Sequence, residues 1–421
     1  MNVCAIDFGT SNSAVAVVQN GVIRVAGSGS SGKKTMPSLI YFSEDGGYAV
    51  GEEAITAYLA NTGRGRLVQS IKTFLPDKGF DQTNVYGKFY TLVDFIAIIL
   101  KALKSRAEKL ADQEVSDVVL GRPVRFSAKE DEDRLAEKRL LEAAKKVGFK
   151  NIGIQMEPIA AALGYESSLD KEQLVLVGDF GGGTSDFTIM KLSPTRSHLV
   201  DRRGDILGTA GINIAGDAFD SQIMWEKLMH YFGRGVVYES SAARDRMIEF
   251  PTHILRTLCE WHKIPFLNTR QHRNYIEHVK FNSTDPEAMN RLKNIIEHNL
   301  GFNIFQAIGI GKSKLSSAEN SSIRVINNYF EIVKRITRTE LGEIIKVELQ
   351  KIMECYLDLL QKAGINKQNI QAVFLTGGTS NLPHIRQMFI DEFGEEKVRR
   401  QGKGFTSVVH GLALSAQKQF I

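Results

Sequence analysis

The stretch DFGTSNSAVAVV at residues 7–18 has a near copy, DFGGGTSDFTIM, at residues 179–190, 172 positions further along the chain. An apolar run precedes each copy, VCAI before Asp7 and LVLVG before Asp179, and another follows. Both therefore read as strand, tight turn, strand, with the aspartate at the tip of the first strand. One Asp-x-Gly after a strand is usually just a hairpin. Two copies of the same pattern in one chain point to a duplicated fold.

Working outward, Asn20-Gly21 is a hairpin turn into VIRVA, so the first copy belongs to a three-stranded meander. A Gly/Ser-rich loop follows at 27–34. Then come helix-like segments at about 92–110 and 130–147, with a strand, DVVLGRPV, at 117–124 between them. EPIAAALGYE at 157–166 has helical spacing behind Glu157-Pro158, a proline placement suited to the first helical turn. The order indicates a mixed α/β sheet covered by helices. After the second copy, GINIAGDAFD leads into another helix and a weakly patterned basic segment runs over about 233–297. Helices are expected to fill 323–361. AVFLTGGTSNLPHIRQMF at 372–389 reads as strand, Gly-Gly turn and helix, and a last helix closes the chain at about 407–419.

The bulk numbers narrow the class. At 421 residues the chain exceeds the ~250–300 at which one core stops growing, so two lobes are expected. A net charge of +5 over 53 basic and 48 acidic residues is too mild and too mixed for a nucleic-acid binder. Cys4, Cys259 and Cys355 form no CxxC pair, which fits reduced thiols and a cytoplasmic location. The amino terminus shows no signal-peptide pattern, and the most apolar stretch, FIAIILKAL at 95–103, is too short to cross a bilayer. No membrane partner is expected.

Gly-rich turns expose rows of backbone N–H groups, and such clusters bind phosphate oxygens. One turn from each half can clamp a polyphosphate from both sides. Asp7 and Asp179 at the strand tips suit a magnesium ion that keeps most of its waters and takes carboxylates as outer partners. The duplicated turn is thus read as a nucleotide clamp.

IDFGTSNS, SIKTFL, MEPIAAALGY, GDFGGGTSD, AGDAFD and LTGGTSNLP together resemble the nucleotide-binding domain of the DnaK type of heat-shock chaperone, in the actin-like ATPase superfamily. The resemblance spans nearly the whole chain. LGRP at 120–123, the AGINIAGDAFD stretch and GKGFTSVVHGLA look most like the short bacterial YegD-type branch. It implies an α/β fold of two lobes built from duplicated ribonuclease-H-like subdomains with insertions. Lobe I would cover 1–168, with an insertion at about 27–112 and the terminal helix, 403–421, returning to it. Lobe II would cover 169–402, with a helical insertion at about 218–335. ATP or ADP and Mg²⁺ would be bound, with K⁺ as an additional candidate cation.

The same resemblance assigns roles. Gly9, Thr10, Ser11 and Asn12 would form the first phosphate turn, and Gly181, Gly182, Gly183 and Thr184 the second. Asp7, Asp179 and Glu157 would hold the metal's waters or orient the attacking water, and Lys72 would position that water. Asp186 would brace the second turn. Gly216, Lys312, Ser316, Gly377 and Gly378 would meet the nucleotide elsewhere. Four positions depart from the family pattern: Gly309 for a ribose-binding acid, Ser313 for a base-stacking cation, Asn381 for an arginine on adenine, and Phe405 for an acid. Weaker nucleotide affinity or relaxed base selectivity is expected.

Other motifs read more plainly. GKS at 311–313 lacks the glycine a P-loop needs five residues upstream, where Gln306 stands. Cys259, His262, His272 and His278 have no zinc-module spacing. Arg256 and Trp261 in the basic insertion are candidate contacts for an unidentified protein partner or client, although a solvated helical face is the plainer reading. The reading expects no peptide-binding domain, and hence a monomeric, slowly hydrolysing ATP switch that regulates a partner. Nucleotide binding without turnover, filament formation and a sugar-kinase activity are the alternatives.

Overall fold

The computed structural model describes residues 2–27, 33–61, 64–166, 169–196, 199, 201–239, 246–400 and 407–420. Two sheets share one topology. In the first, β1 (Asn2–Asp7), β2 (Asn12–Gln19) and β3 (Val22–Val25) form an antiparallel meander. The strands β4 (Asp117–Arg122) and β5 (Asn151–Met156) extend it in parallel, giving the order β3-β2-β1-β4-β5. In the second, β6 (Gln173–Phe180), β7 (Ser185–Leu192) and β8 (Ile206–Ile212) form the meander. There β9 (Ala372–Thr376) and β10 (Val398–Arg400) add in parallel, giving β8-β7-β6-β9-β10. Asp7 pairs across to Ala14, and Asp179 to Asp186. The α/β class and the internal duplication expected from the sequence are both present.

The chain packs into two compact units. Unit 1 comprises Met1–Tyr58, Gly65–Gly216 and Lys351–Ile421 and holds both sheets; unit 2 comprises Leu59–Arg64 and Asp217–Gln350. Within unit 1, the first sheet is buried on both faces, which is why β1 is apolar without alternation. Cys4, Ile6, Val15 and Val17 face a cluster that includes α1 (Leu92–Ala111) and α2 (Glu130–Lys146). Thr91 and Asp94 start α1 with reciprocal side-chain-to-backbone bonds, and Leu92, Phe95, Ile96, Ile99, Leu100 and Leu103 then recur at helical spacing on its buried face.

The opposite face, Val3, Ala5, Ala16 and Val18, joins Val175, Val177 and Met190 of the second sheet in one cluster. Two helices belong to that cluster, α3 (Glu157–Glu166) and the terminal helix Ser407–Phe420. They touch so closely that a Cβ on Gly411 would lie 1.8 Å from the Ala160 carbonyl oxygen. Small residues in both helices are what allow this approach.

Unit 2 carries the helices Thr252–Leu258, Arg270–Asn282, Pro286–Glu297 and Gly301–Lys314. One expectation fails here. The segment from 323 does not continue as helix: Asn320–Ile326 and Glu331–Thr337 are an antiparallel hairpin, and helix resumes only at Arg338. Ile323, Val325, Ile332 and Ile336 are buried at two- and four-residue intervals, and β-branched residues at that period favour a half-covered hairpin over a helix.

Candidate functional site

The first repeated turn joins β1 to β2 across residues 8–11. A Cβ on Gly9 would sit 2.1 Å from the Asn12 carbonyl oxygen, so only glycine lets the turn close. The turn is anchored sideways, because Ser38 N–H donates to the Ser11 carbonyl at 2.9 Å and the Ser13 and Ser38 hydroxyls meet at 2.7 Å. Thr10 and Ser11 are half-buried and Asn12 is exposed.

The second turn, residues 181–184, is closed by Gly181 N–H donating to the Thr184 carbonyl at 3.0 Å. Thr184 Oγ1 donates to Asp186 Oδ2 at 2.8 Å, and Thr379 Oγ1 donates to the Gly181 carbonyl at 2.7 Å. Gly182 and Gly183 are half-buried within it. Gly216 N–H comes to 3.5 Å from the Gly181 carbonyl, the outer limit of a hydrogen bond. At Gly377 the backbone is left-handed, φ 81°, and a Cβ would lie 2.3 Å from the Phe180 carbonyl and 2.7 Å from Asp179 Oδ1. The Gly377-Gly378 turn is thereby held against the end of β6. Nine candidate residues scattered from 179 to 378 in sequence converge on this one place.

A charged set completes unit 1's site. Lys72, in the short 3-10 helix Ile71–Phe74, donates through Nζ to Glu157 Oε1 at 2.8 Å, and both side chains are largely buried. Glu157 opens α3, where the helix N-terminus favours a carboxylate. Sequence reasoning missed what seats it. A Cβ on Gly121 would be 3.2 Å from Glu157 Cγ and 2.9 Å from Leu412 Cδ1, so Gly121 clears the space. The only sequence signal was the LGRP string itself.

Burial pushes the Asp7 carboxyl up to about 7, the Glu157 charge adds to this, and Lys72 partly offsets it. Asp179 is held well above the usual range by burial and then by Glu157, Asp186 and Asp7. Asp186 is raised by burial against the pull of the Thr184 hydroxyl. Burial opposes charge on Lys72, but Glu157, Asp7 and Asp179 outweigh it and keep the ammonium protonated. Four carboxyl groups thus share one ammonium, three of them holding protons more tightly than usual, and a divalent cation is what would let them ionise together. Among the described residues no group of three or more His, Cys, Asp or Glu is arranged to grip a metal directly. A hydrated ion held through its waters is the form the donor set fits.

Lys312 and Ser316 lie in unit 2. Lys312 Nζ is 2.8 Å from Asp220 Oδ1, and burial lifts Asp220 to about 6 despite that contact. Ser316 N–H donates to the Ser313 carbonyl at 3.1 Å. A Cβ on Gly309 would meet nothing nearer than Asp220 Oδ2 at 4.0 Å, so the missing side chain leaves open space. Ser313 is exposed. Asn381 Nδ2 donates to the Gly378 carbonyl at 3.0 Å, bracing its own turn. Phe405 lies outside the described residues. Arg256 lies over the Trp225 ring at 3.5 Å.

Among the described residues no helix is long and apolar enough to cross a membrane. The three cysteines are free, with Cys4 and Cys259 buried. A family model described as Hsp70 protein matches residues 3–85, 73–300 and 302–417. These matches cover most of the chain, which therefore belongs to the Hsp70 family and has its α/β, actin-like ATPase fold.

Proposed function

We propose that the protein binds ATP with Mg²⁺ at the paired turns, hydrolyses it slowly, and uses its nucleotide state to change its affinity for a partner protein. The observation that carries this reading is the under-neutralised set of Asp7, Glu157, Asp179 and Asp186 around Lys72, flanked by two glycine turns at equivalent positions of equivalent sheets. Family membership supports the choice of nucleotide. The turn amides of residues 9–12 and 181–184 would hold phosphate oxygens, and Thr10 and Thr184 would add hydroxyls. Asp7, Glu157 and Asp179 would hold the waters of the bound magnesium, whose contribution is positive charge beside the phosphates.

Lys72 and Glu157 are paired in advance, so the lysine is oriented before any ligand arrives. Phosphoryl transfer to water depends on positioning and charge more than on covalent chemistry. In this reading Glu157 orients the water and Lys72 fixes its place. A role for Lys312 and Ser316 at the nucleoside rests on the resemblance of GIGKSKLSS alone, as does kinship to the short YegD-type branch. A monomer in the cytoplasm is the setting that free thiols and mixed charge support.

A second reading, nucleotide binding without turnover, is favoured by the open space at Gly309 and by Asn381 bracing its own turn. Phosphate release by the purified protein, with Lys72→Ala as control, separates the two. Release above the Lys72→Ala background supports hydrolysis; equal release alongside tight MgATP binding supports the second reading.

A further inference from the structure

Unit 2 carries an electrostatic feature of its own. His230 lies tilted against Tyr231 with ring centroids 3.9 Å apart, and partial burial, then Lys334, Arg234, Arg291 and Lys227, push its imidazole towards the neutral form. Tyr231 has Arg291 and Lys334 over its ring at 5.9 and 6.0 Å. Trp225, two turns of chain away and buried, has Arg234 at 4.6 Å and Arg256 at 3.5 Å from its ring. These groups come from four segments: Met224–Phe232 with the residues just after it, Thr252–Leu258, Pro286–Glu297 and Glu331–Thr337.

The charges are only partly matched. Lys227 pairs with Glu340 at 2.8 Å, Arg234 with Glu226 at 3.4 Å, and Arg291 with Glu287 at 2.5 Å. Among the described residues Arg256 and Lys334 meet no carboxylate; their contacts are the aromatic rings. Five permanent cations therefore face three carboxylates, and Glu340, Glu226 and Glu287 are all exposed, where such pairs contribute little. Like charges gathered this way cost stability, so an outside anion is the natural complement.

We propose that this face of unit 2 is the docking site for an acidic peptide segment of a partner protein, its carboxylates taken by Arg256 and Lys334. Guanidinium and ammonium groups laid on aromatic rings are ordered before binding, which lowers the entropic cost of taking a carboxylate. A single-stranded nucleic acid is disfavoured by the same geometry. Bases need open aromatic faces to stack on, and here Trp225 is buried under Arg234 and Arg256 while the ring of Tyr231 is packed against His230.

The test is fluorescence anisotropy on the full chain with a labelled peptide of alternating Glu and Gly, against a Gln-and-Gly peptide and an oligothymidylate of equal length. The expected result is saturable binding of the Glu peptide alone, weakened at least tenfold by the double variant Arg256→Glu, Lys334→Glu and weakened by salt. That variant must keep the wild-type melting temperature and MgATP affinity; if it misfolds, Arg256→Gln with Lys334→Gln replaces it. Failure of the Glu peptide to bind at tens of micromolar, binding that either folded variant leaves intact, or tighter binding of the oligothymidylate overturns the proposal. None of these outcomes depends on ATP turnover, so this docking site and the nucleotide reading fail separately.

Discussion

At the scale of single residues, Lys72 and Asp7 carry the sharpest consequences. Lys72→Ala is expected to keep nucleotide binding and lose roughly 10²–10³ in single-turnover hydrolysis, about 2.7–4 kcal/mol, the usual cost of one charge-stabilising group. Unchanged single-turnover rates would remove Lys72 from the chemistry. Asp7 has a definite pH signature. Its folded-state pKa is raised from 3.8 to about 7, so the native protein holds a proton that the unfolded chain has released. Raising the pH from about 4 to about 7 therefore destabilises the ligand-free protein through this group, and Asp179 and Asp186 act in the same direction. A bound divalent cation lifts that penalty. The gain in melting temperature on adding MgADP is expected to be larger at about pH 8 than at about pH 5.5, and scanning calorimetry at the two values checks it. Asp7→Asn should flatten the difference.

At the scale of elements, the glycines do what no other residue can. Gly377→Ala is expected to cost about 1–3 kcal/mol, because it forces a side chain into a left-handed position and against the Phe180 carbonyl. Since that turn abuts Asp179, nucleotide affinity should fall with stability, read by calorimetric titration and thermal melting together. Gly411→Val is its contrast. The Cβ would strike Ala160, parting the terminal helix from α3, and a lower melting temperature with a disturbed Glu157 is expected. The meander of β1–β3, α1 and α3 was legible in the sequence because their apolar periods and caps are local. The hairpin at 320–337 was not, because the buried Ile332 and Ile336 of its second strand fall at four-residue spacing, which a helix also produces. Equally, nothing local marks Gly121 as the seat of Glu157, or pairs Lys72 with a carboxylate 85 residues away. Those contacts exist only once the sheets have formed.

At the scale of the whole molecule, the repeated turn was the one sequence feature that carried both fold and site. The two sheets share the same five-strand order, the first adding the short strand Met36–Pro37 beside β2, and the repeated aspartates land at equivalent ends of β1 and β6. The replacements Gly309, Ser313 and Asn381 lead to an expectation of weak or base-tolerant nucleotide binding. Calorimetric titration with ATP, GTP and ADP checks it, and nanomolar, strictly adenine-selective binding would contradict it. The most direct measurement is a crystal structure with a non-hydrolysable MgATP analogue. Phosphates seated on the backbone amides of both turns, with metal-bound waters held by Asp7, Glu157 and Asp179, are the expected result. A nucleotide lodged away from both turns, or a triphosphate touching neither Gly9–Asn12 nor Gly181–Thr184, would contradict the clamp.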